Sequence, residues 1–436
     1  DVITRMNTSY LIGTDGSVWS TGSNKSAALG LNISDEFISV FSKLEINEEQ
    51  KKLSCTQEQG SSLGNDGSYW TWGSNAEGQA GNNTQNSNYP SPIKSTLSHK
   101  WKSVVGGNLH LLGIKDNGSL WAWGSNARTQ LGNGDPLHQM KPEPVQVGTD
   151  TDWKMAAGGA WQSIALKNDG TLWGWGDNAF GQLGMGEDAD FEITTPTRIG
   201  ADNDWEYVFL GHHHALAIKK DGSLWGWGNN MGNKINSSPM LSIKTPTKMS
   251  DKKWAMAVGG FEHTLAIAQD GTLWGIGKND EGQLGLGDTE LRTELTQIGN
   301  KSDWVRVSAG KRHSFAINKN GELYAFGDNE FGQLGVSGND LLNPTLITVN
   351  FSSISNLSNN TSGLRVIVLD KSNIKIVLPE TVESIKEIAI YTITGKLIQK
   401  IKTNSETISI NEMLKGAYIL QVITDKNVQL STSFMK

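Results

Sequence analysis

The feature that most constrains this chain is a fifteen-residue motif that returns seven times. "GTLWGWGDNAFGQLG" begins at Gly170, and its relatives begin at Gly16, Gly67, Gly118, Gly222, Gly271 and Gly321. Successive copies stand 51, 51, 52, 52, 49 and 50 residues apart. A period of that length means one supersecondary unit copied many times, each unit burying its apolar face against its neighbours. Tryptophan keeps the same beat. Fifteen of the 16 tryptophans lie 17 residues before, three after or five after the first glycine of a copy, and Trp161 alone does not.

Within a unit the pattern reads as strands. "WKMAAGG" (153–159) and "SIALKNDG" (163–170) are short apolar runs that end in turn residues. The Asp-Gly or Asn-Gly before each "LWxW" predicts a tight hairpin, because glycine tolerates positive φ. A polar, often proline-containing segment such as "TTPTRIG" follows each "GQLG". Four strands repeated seven times predict an all-β fold, a seven-bladed propeller over residues 1–351. The opening "VITRMNTSYLIGTDG" lacks the tryptophan strand of a full unit, so "NPTLITVNF" (343–351) is expected to complete the first blade and close the ring.

The Gly-x-x-His-Ser/Thr, Asp-Gly-x-Leu-Trp-x-Trp-Gly and Gly-Gln-Leu-Gly sequences across residues 1–350 resemble the regulator of chromosome condensation repeat propellers. The resemblance implies the fold; activity on one fold diverges. The founding member of that family is a nucleotide-exchange factor for a small GTPase and binds chromatin. This chain shows no basic tail and no long insertion in any unit, which argues against that role; regulation of a GTPase is kept as the rival reading. Similar bacterial propellers include an inhibitor of β-lactamases, a precedent for binding proteins.

The repeat stops near residue 350. "SSISNLSNNTSG" (352–363) reads as a linker, and residues 364–436 alternate apolar and polar positions between turns, as a small β-sandwich does. "IYTITGKLI" (390–398), "LKGAYILQV" (414–422) and Phe434-Met435-Lys436 resemble the C-terminal sorting domain of type IX secretion substrates in Bacteroidetes. The usual Pro-Asn-Pro-Thr-Ser-Gly-like opening is reduced here to Asn360-Thr361-Ser362-Gly363. The resemblance implies export through the periplasm to the outer-membrane surface or beyond, with the secretion machinery as a partner of residues 364–436. The alternative is an ordinary accessory sandwich. The chain opens on Asp1 rather than Met, which reads as a processed or partial chain.

Charge and chemistry narrow the function. Thirty-eight basic and 45 acidic residues give a net −7 without runs of either sign, which argues against nucleic acid as a partner. No stretch is apolar for long enough to form a membrane-spanning helix. The single cysteine, Cys55, excludes an internal disulfide and any multi-cysteine metal site, and its strand slot reads as inert. No nucleophile elbow, zinc-protease helix or phosphate loop is present, and the glycine-rich stretches are not followed by helices; no catalytic residue, metal or cofactor is assigned. "GHHHALAI" (211–218) invites a metal reading. His214, however, fills the repeat slot of His110, His263 and His313, where Gln59 and Gln162 stand in two other copies. An intra-blade bond from ring to backbone is the expectation for that slot.

The topology then points to one face. The Gly-x-x-His loop before the second strand and the Asn-x-x-Gly-Gln loop after the third must lie at the same end of each blade. Their variable positions are Asn108, Leu109, Trp161, His212, His213, Phe261, Glu262, Lys311 and Arg312 in the first loop, and Arg128, Phe180, Glu281 and Phe331 in the second. Aromatic residues and arginine dominate binding hot spots. The expectation is a secreted or cell-surface, non-catalytic binding module whose partner is a protein, with a surface glycan as alternative; the longer connections 82–99 and 133–151 are a competing recognition site. Trp173 and Trp175, two apart on one strand face, read as blade packing rather than a sugar platform.

Overall fold

Each copy of the motif begins with a turn that its own side chains build. Gly170 adopts φ +85°, a left-handed conformation open to glycine, and a Cβ there would lie 2.1 Å from the Asn203 carbonyl oxygen. The Asp169 carboxylate accepts bonds from the Thr171 N–H (3.0 Å) and hydroxyl (2.7 Å). Thr171 Oγ1 in turn accepts the Trp173 indole N–H at 2.9 Å. The same chain of bonds recurs at Asp221–Ser223–Trp225 and Asp270–Thr272–Trp274. Asp-Gly-Ser/Thr-Leu-Trp is thus one hydrogen-bonded device that reverses the chain and orients the tryptophan.

The computed structural model describes residues 1–96, 99–347 and 349, and then 365–368, 373–377, 384–392, 397–402, 405, 407–409, 417–424 and 429–435. Packing divides the chain into Asp1–Val349 and Asn350–Lys436. The expected linker 352–363, with Asn360–Gly363, lies outside the described residues. The first unit contains seven four-stranded antiparallel sheets. Blade four shows the plan: Trp153–Gly158, Gln162–Lys167, Leu172–Asp177 and Glu192–Arg198 pair in chain order. The first strands of successive sheets pack side by side around a central axis.

The ring closes differently from the sequence expectation. Leu341–Ile347 pairs with Leu323–Gly327 as the outer strand of blade seven, and blade one is complete within Val2–Arg5, Thr8–Ile12, Val18–Ser23 and Phe37–Lys43. Val2–Arg5, without a tryptophan, takes the place of the tryptophan-bearing inner strand, so no strand is borrowed. Side chains join the seam instead. Ser9 Oγ meets His313 Nε2 at 3.0 Å, Thr21 Oγ1 donates to the Gly332 carbonyl at 2.9 Å, and Phe41 packs edge-on against Phe315.

The two motif tryptophans are not equivalent. Trp175 is fully buried, and its indole N–H crosses to the Gln130 carbonyl of the preceding blade at 2.9 Å. Trp123 and Trp227 repeat the bond to Gln79 (3.0 Å) and Gln182 (3.1 Å). The glycine that ends this loop is the seat for the ring: a Cβ on Gly132 would come within 2.6 Å of Trp175, and one on Gly184 within 2.8 Å of Trp227. Trp173 is half-buried, lying against Trp153 with Lys167 over its face. Trp175 is the wedge between blades; Trp173 belongs to its own blade.

The recurrent histidines also join blades, not strands within a blade. His110 Nε2 meets Ser163 Oγ of the next blade at 2.9 Å, and Ser163 donates back to the Gln130 carbonyl at 2.8 Å. His214–Thr264, His263–Ser314 and His313–Ser9 repeat the relay at 3.0, 3.1 and 3.0 Å. The hydroxyl has one proton and gives it to the carbonyl, so Nε2 carries the ring proton. The glycine three residues earlier makes room, since a Cβ on Gly107 would lie 2.1 Å from the His110 ring. Burial holds His110, His263 and His313 down at about 3 and His214 well below its usual range, so these rings are neutral.

The C-terminal unit is a small β-sandwich of two antiparallel sheets. One contains Arg365–Val368, Asn373–Val377 and Thr407–Ser409; the other runs Leu397–Ile401, Ile385–Thr392, Ala417–Thr424, Gln429–Met435. Ile376, Ile388, Ile390, Ile408, Leu420 and Val422 are buried.

Candidate binding face

Both variable loops of a blade are bonded to each other, which sets them on one face. The Asp177 N–H donates to the Trp161 carbonyl at 2.9 Å, Asn229 to His213 at 2.8 Å and Asp328 to Arg312 at 2.9 Å. The framework residues then pin the second loop. Asn178 Oδ1 accepts the Leu183 N–H and Gln182 Oε1 accepts the Phe180 N–H, so the Phe180 side chain is left to point outward. Asn126/Gln130, Asn279/Gln283 and Asn329/Gln333 present Arg128, Glu281 and Phe331 in the same way. The first loops are laced around the axis by blade-to-blade bonds: Asn108 N to Gly159 O (2.9 Å), Ala160 N to His212 O (2.8 Å), His212 N to Gly260 O (3.1 Å).

Five of the sequence candidates form one aromatic cluster across three blades. His212 and Phe261 stack at 4.0 Å, His212 and His213 meet edge-on at 4.1 Å, and His213 contacts Phe180 and Trp161 at 5.5 and 5.7 Å between ring centres. Asn108 joins it through a 3.0 Å bond from its Nδ2 to His212 Nε2. Trp161, His212, His213 and Phe261 are half-buried and Phe180 is 39% exposed. Burial, with neighbouring positive charge, pushes His212 to about 2 and His213 to about 4, so both rings are neutral. Phe191 and Leu241, 75% and 66% exposed, extend the apolar surface outward: their carbonyls accept the Asn178 and Asn230 N–H groups of the same loops.

Four of the five charged candidates stand in ion pairs. Arg128 pairs with Glu192 (2.8 Å), Glu262 with Lys278 (2.6 Å) and Glu281 with Arg312 (3.0 Å). Phe331 stands apart, edge-on to Phe37 across the seam. Leu109 is half-buried between the loops of blade three. Lys311 forms no ion pair among the described residues.

Sequence reasoning missed Arg5. It occupies the slot that holds glycine at Gly107, Gly159, Gly211, Gly260 and Gly310. Its guanidinium reaches across the axis to Asn108 Oδ1 (2.9 Å), Gly159 O (2.9 Å) and Gly158 O (3.4 Å). Lys234, missed for the same reason, replaces the glutamine of Gly-Gln-Leu-Gly; it is buried, bonded to Asn229 Oδ1 at 2.8 Å, and burial lowers it to about 8. Departure from the repeat was the readable signal in both. Cys55 is buried and pushed up to about 12, an inert thiol. Among the described residues no group of three or more His, Cys, Asp or Glu is placed to hold a metal ion, and no helix is long and apolar enough to cross a membrane.

Fold and face define a repeat propeller joined in one chain to a separate β-rich unit. The regulator of chromosome condensation (RCC1) repeat family matches residues 66–114, 117–166, 169–218, 270–317 and 320–358, and a secretion system C-terminal sorting domain matches 370–436. The chain belongs to the RCC1 repeat family and carries a type IX sorting domain at its C-terminal end, which directs export to the cell surface or medium. It is 29% identical over 217 residues to the ultraviolet-B receptor UVR8 of Arabidopsis thaliana, covering 49% of each chain. It is 27% identical over 301 residues to the human E3 ubiquitin-protein ligase HERC2, covering 66% of this chain and 6% of that one. The chain thus spans about half the length of the first relative and a small part of the second. Among solved structures, yeast RCC1 (Prp20), crystallised with Kap60, superposes with a TM-score of 0.70 at 20% identity over 82% of this chain and 87% of that one. Human WBSCR16 gives 0.69 at 21% over 76% and 94%. At that identity the likeness is one of fold.

Proposed function

We propose that the exported propeller is a non-catalytic binding module that docks a protein through the sector formed by Trp161, Phe180, His213 and Phe261. One observation carries this reading. The single tryptophan outside the repeat slots stands half-buried on the loop face, in a cluster of aromatic rings from three blades that no framework bond requires. Rigid aromatic surface rimmed by paired charges is the composition of a protein-binding hot spot. The structure of Kap60 bound to yeast RCC1 (Prp20) gives a precedent for a protein of this fold bound to another protein. The test compares the full chain with Trp161→Ala and Phe180→Ala for retention on a column of surface extract from the producing organism. Both variants are expected to keep the wild-type Tm and lose a common retained protein. Equal retention by all three refutes the sector.

A further inference from the structure

Three observations meet where the propeller axis reaches the loop face. A small cavity of about 20 Å³, room for a water-sized group, is lined by Arg5, Met6, His212, Phe261 and Lys311 together with glycine backbone. No acidic side chain lines it. Among the described residues neither Arg5 nor Lys311 has a carboxylate within ion-pairing distance, whereas the neighbouring Glu262 and Glu281 are already paired to Lys278 and Arg312. Arg5 spends three N–H groups on Asn108, Gly158 and Gly159, and a guanidinium has five.

The third observation is a donor without an acceptor. Asn108 Oδ1 accepts from Arg5, so the Asn108 amide presents its N–H to His212 Nε2. That ring therefore holds its proton on Nδ1, which is buried and without a partner among the described residues. A buried donor without an acceptor, on a ring that lines the same cavity as Arg5 and Lys311, is costly unless an acceptor completes the site. Lys234, buried and in no ion pair among the described residues, adds to the positive field on His212. The Phe261 ring stacked on His212 makes one wall apolar, which suits a planar group on a short hydrocarbon stem.

We propose that the axial cavity between Arg5, His212 and Lys311 receives a carboxylate oxygen from an acidic side chain of the protein docked on the aromatic sector. This rests on the docking reading above. Acetate serves as the probe on the full chain labelled with ¹⁵N-histidine at pH 7, with acetamide and inorganic phosphate as the other arms. His212→Ala identifies the His212 signal. Acetate is expected to shift that signal saturably, acetamide to leave it in place, and phosphate to bind more weakly than acetate. Lys311→Glu is expected to weaken acetate at least tenfold, and Lys311→Gln less. Both substitutions are compatible with folding, because the same slot holds Asn108, Ala160 and Phe261 in other blades. The proposal is overturned by a non-saturable shift, by an equal response to acetamide, by tighter binding of phosphate, or by unchanged affinity in Lys311→Glu. If acetate fails while Trp161→Ala still abolishes retention of the partner, the axial site falls and the docking sector stands.

Discussion

The histidine relay makes the propeller sensitive to mild acid. His110, His263 and His313 titrate at about 3 in the folded chain and His214 lower still, all through burial. Unfolded, each ring returns to its ordinary value of about 6.5. Between these values the unfolded chain binds protons that the folded chain refuses. The stability these rings supply is therefore complete above about pH 6.5 and is lost as pH falls toward 3. At pH 5 the unfolded ring lies 1.5 units above the pH, at about 1.4 kcal/mol per unit, so each histidine costs about 2 kcal/mol. Four rings cost about 8 kcal/mol, comparable with the whole stability of a typical domain. Urea titrations followed by tryptophan fluorescence report this unit directly, since all 16 tryptophans lie at or before Trp304. The midpoint should fall steeply between pH 7 and pH 5. His110→Gln, for which Gln162 in the same slot is the natural precedent, should lose about 2 kcal/mol less over the same interval. Equal stability at the two pH values, or an unchanged pH dependence in His110→Gln, would refute the relay as drawn.

Other outcomes follow from the same contacts. Trp175→Ala should destabilise by about 3–5 kcal/mol, as expected for a fully buried tryptophan, and Trp173→Ala by clearly less; similar urea midpoints for the two would contradict the wedge. Lys234→Gln restores the glutamine that five other blades hold in this slot and removes a buried ammonium lowered to about 8. It should stabilise at pH 7 by about 3 kcal/mol at most, a gain that shrinks as pH rises past 8 toward 10.5, where the lysine is neutral in both states. A destabilised variant at pH 7 would show that Lys234 is already compensated. Removing residues 350–436 should leave the fluorescence-monitored unfolding of the propeller unchanged and retain it in the periplasm, as read by fractionation; normal export of the shortened chain would contradict the sorting role.

The blades were legible because the repeat spells their bonds: Asp169, Thr171 and Trp173 form a turn whose residues are close in sequence. The loop face was legible for the same reason, since strand direction follows from hairpins. What escaped depended on partners far along the chain. His110 was expected to bond within its blade, yet its partner Ser163 lies 53 residues away. Trp173 and Trp175 look alike in sequence, and only the seat at Gly132 in the preceding blade separates them. Closure by a borrowed strand was expected because "VITRMNTSYLIG" contains no tryptophan; Val2–Arg5 nevertheless forms an inner strand, paired in register with Thr8–Leu11. Arg5 was overlooked in that same segment, where a charged residue in a glycine slot was the clue.

The central claim is that a partner rests on Trp161, Phe180 and His213. Its most direct test is a photo-crosslinking residue placed at Phe180, with a second at Asp221 in the hairpin turns at the opposite end of the blade, in the full chain displayed by its own organism. The account predicts one adduct from position 180 that disappears with Trp161→Ala, and none in common from position 221. An adduct shared by both positions, or one at 180 that survives Trp161→Ala, would contradict it.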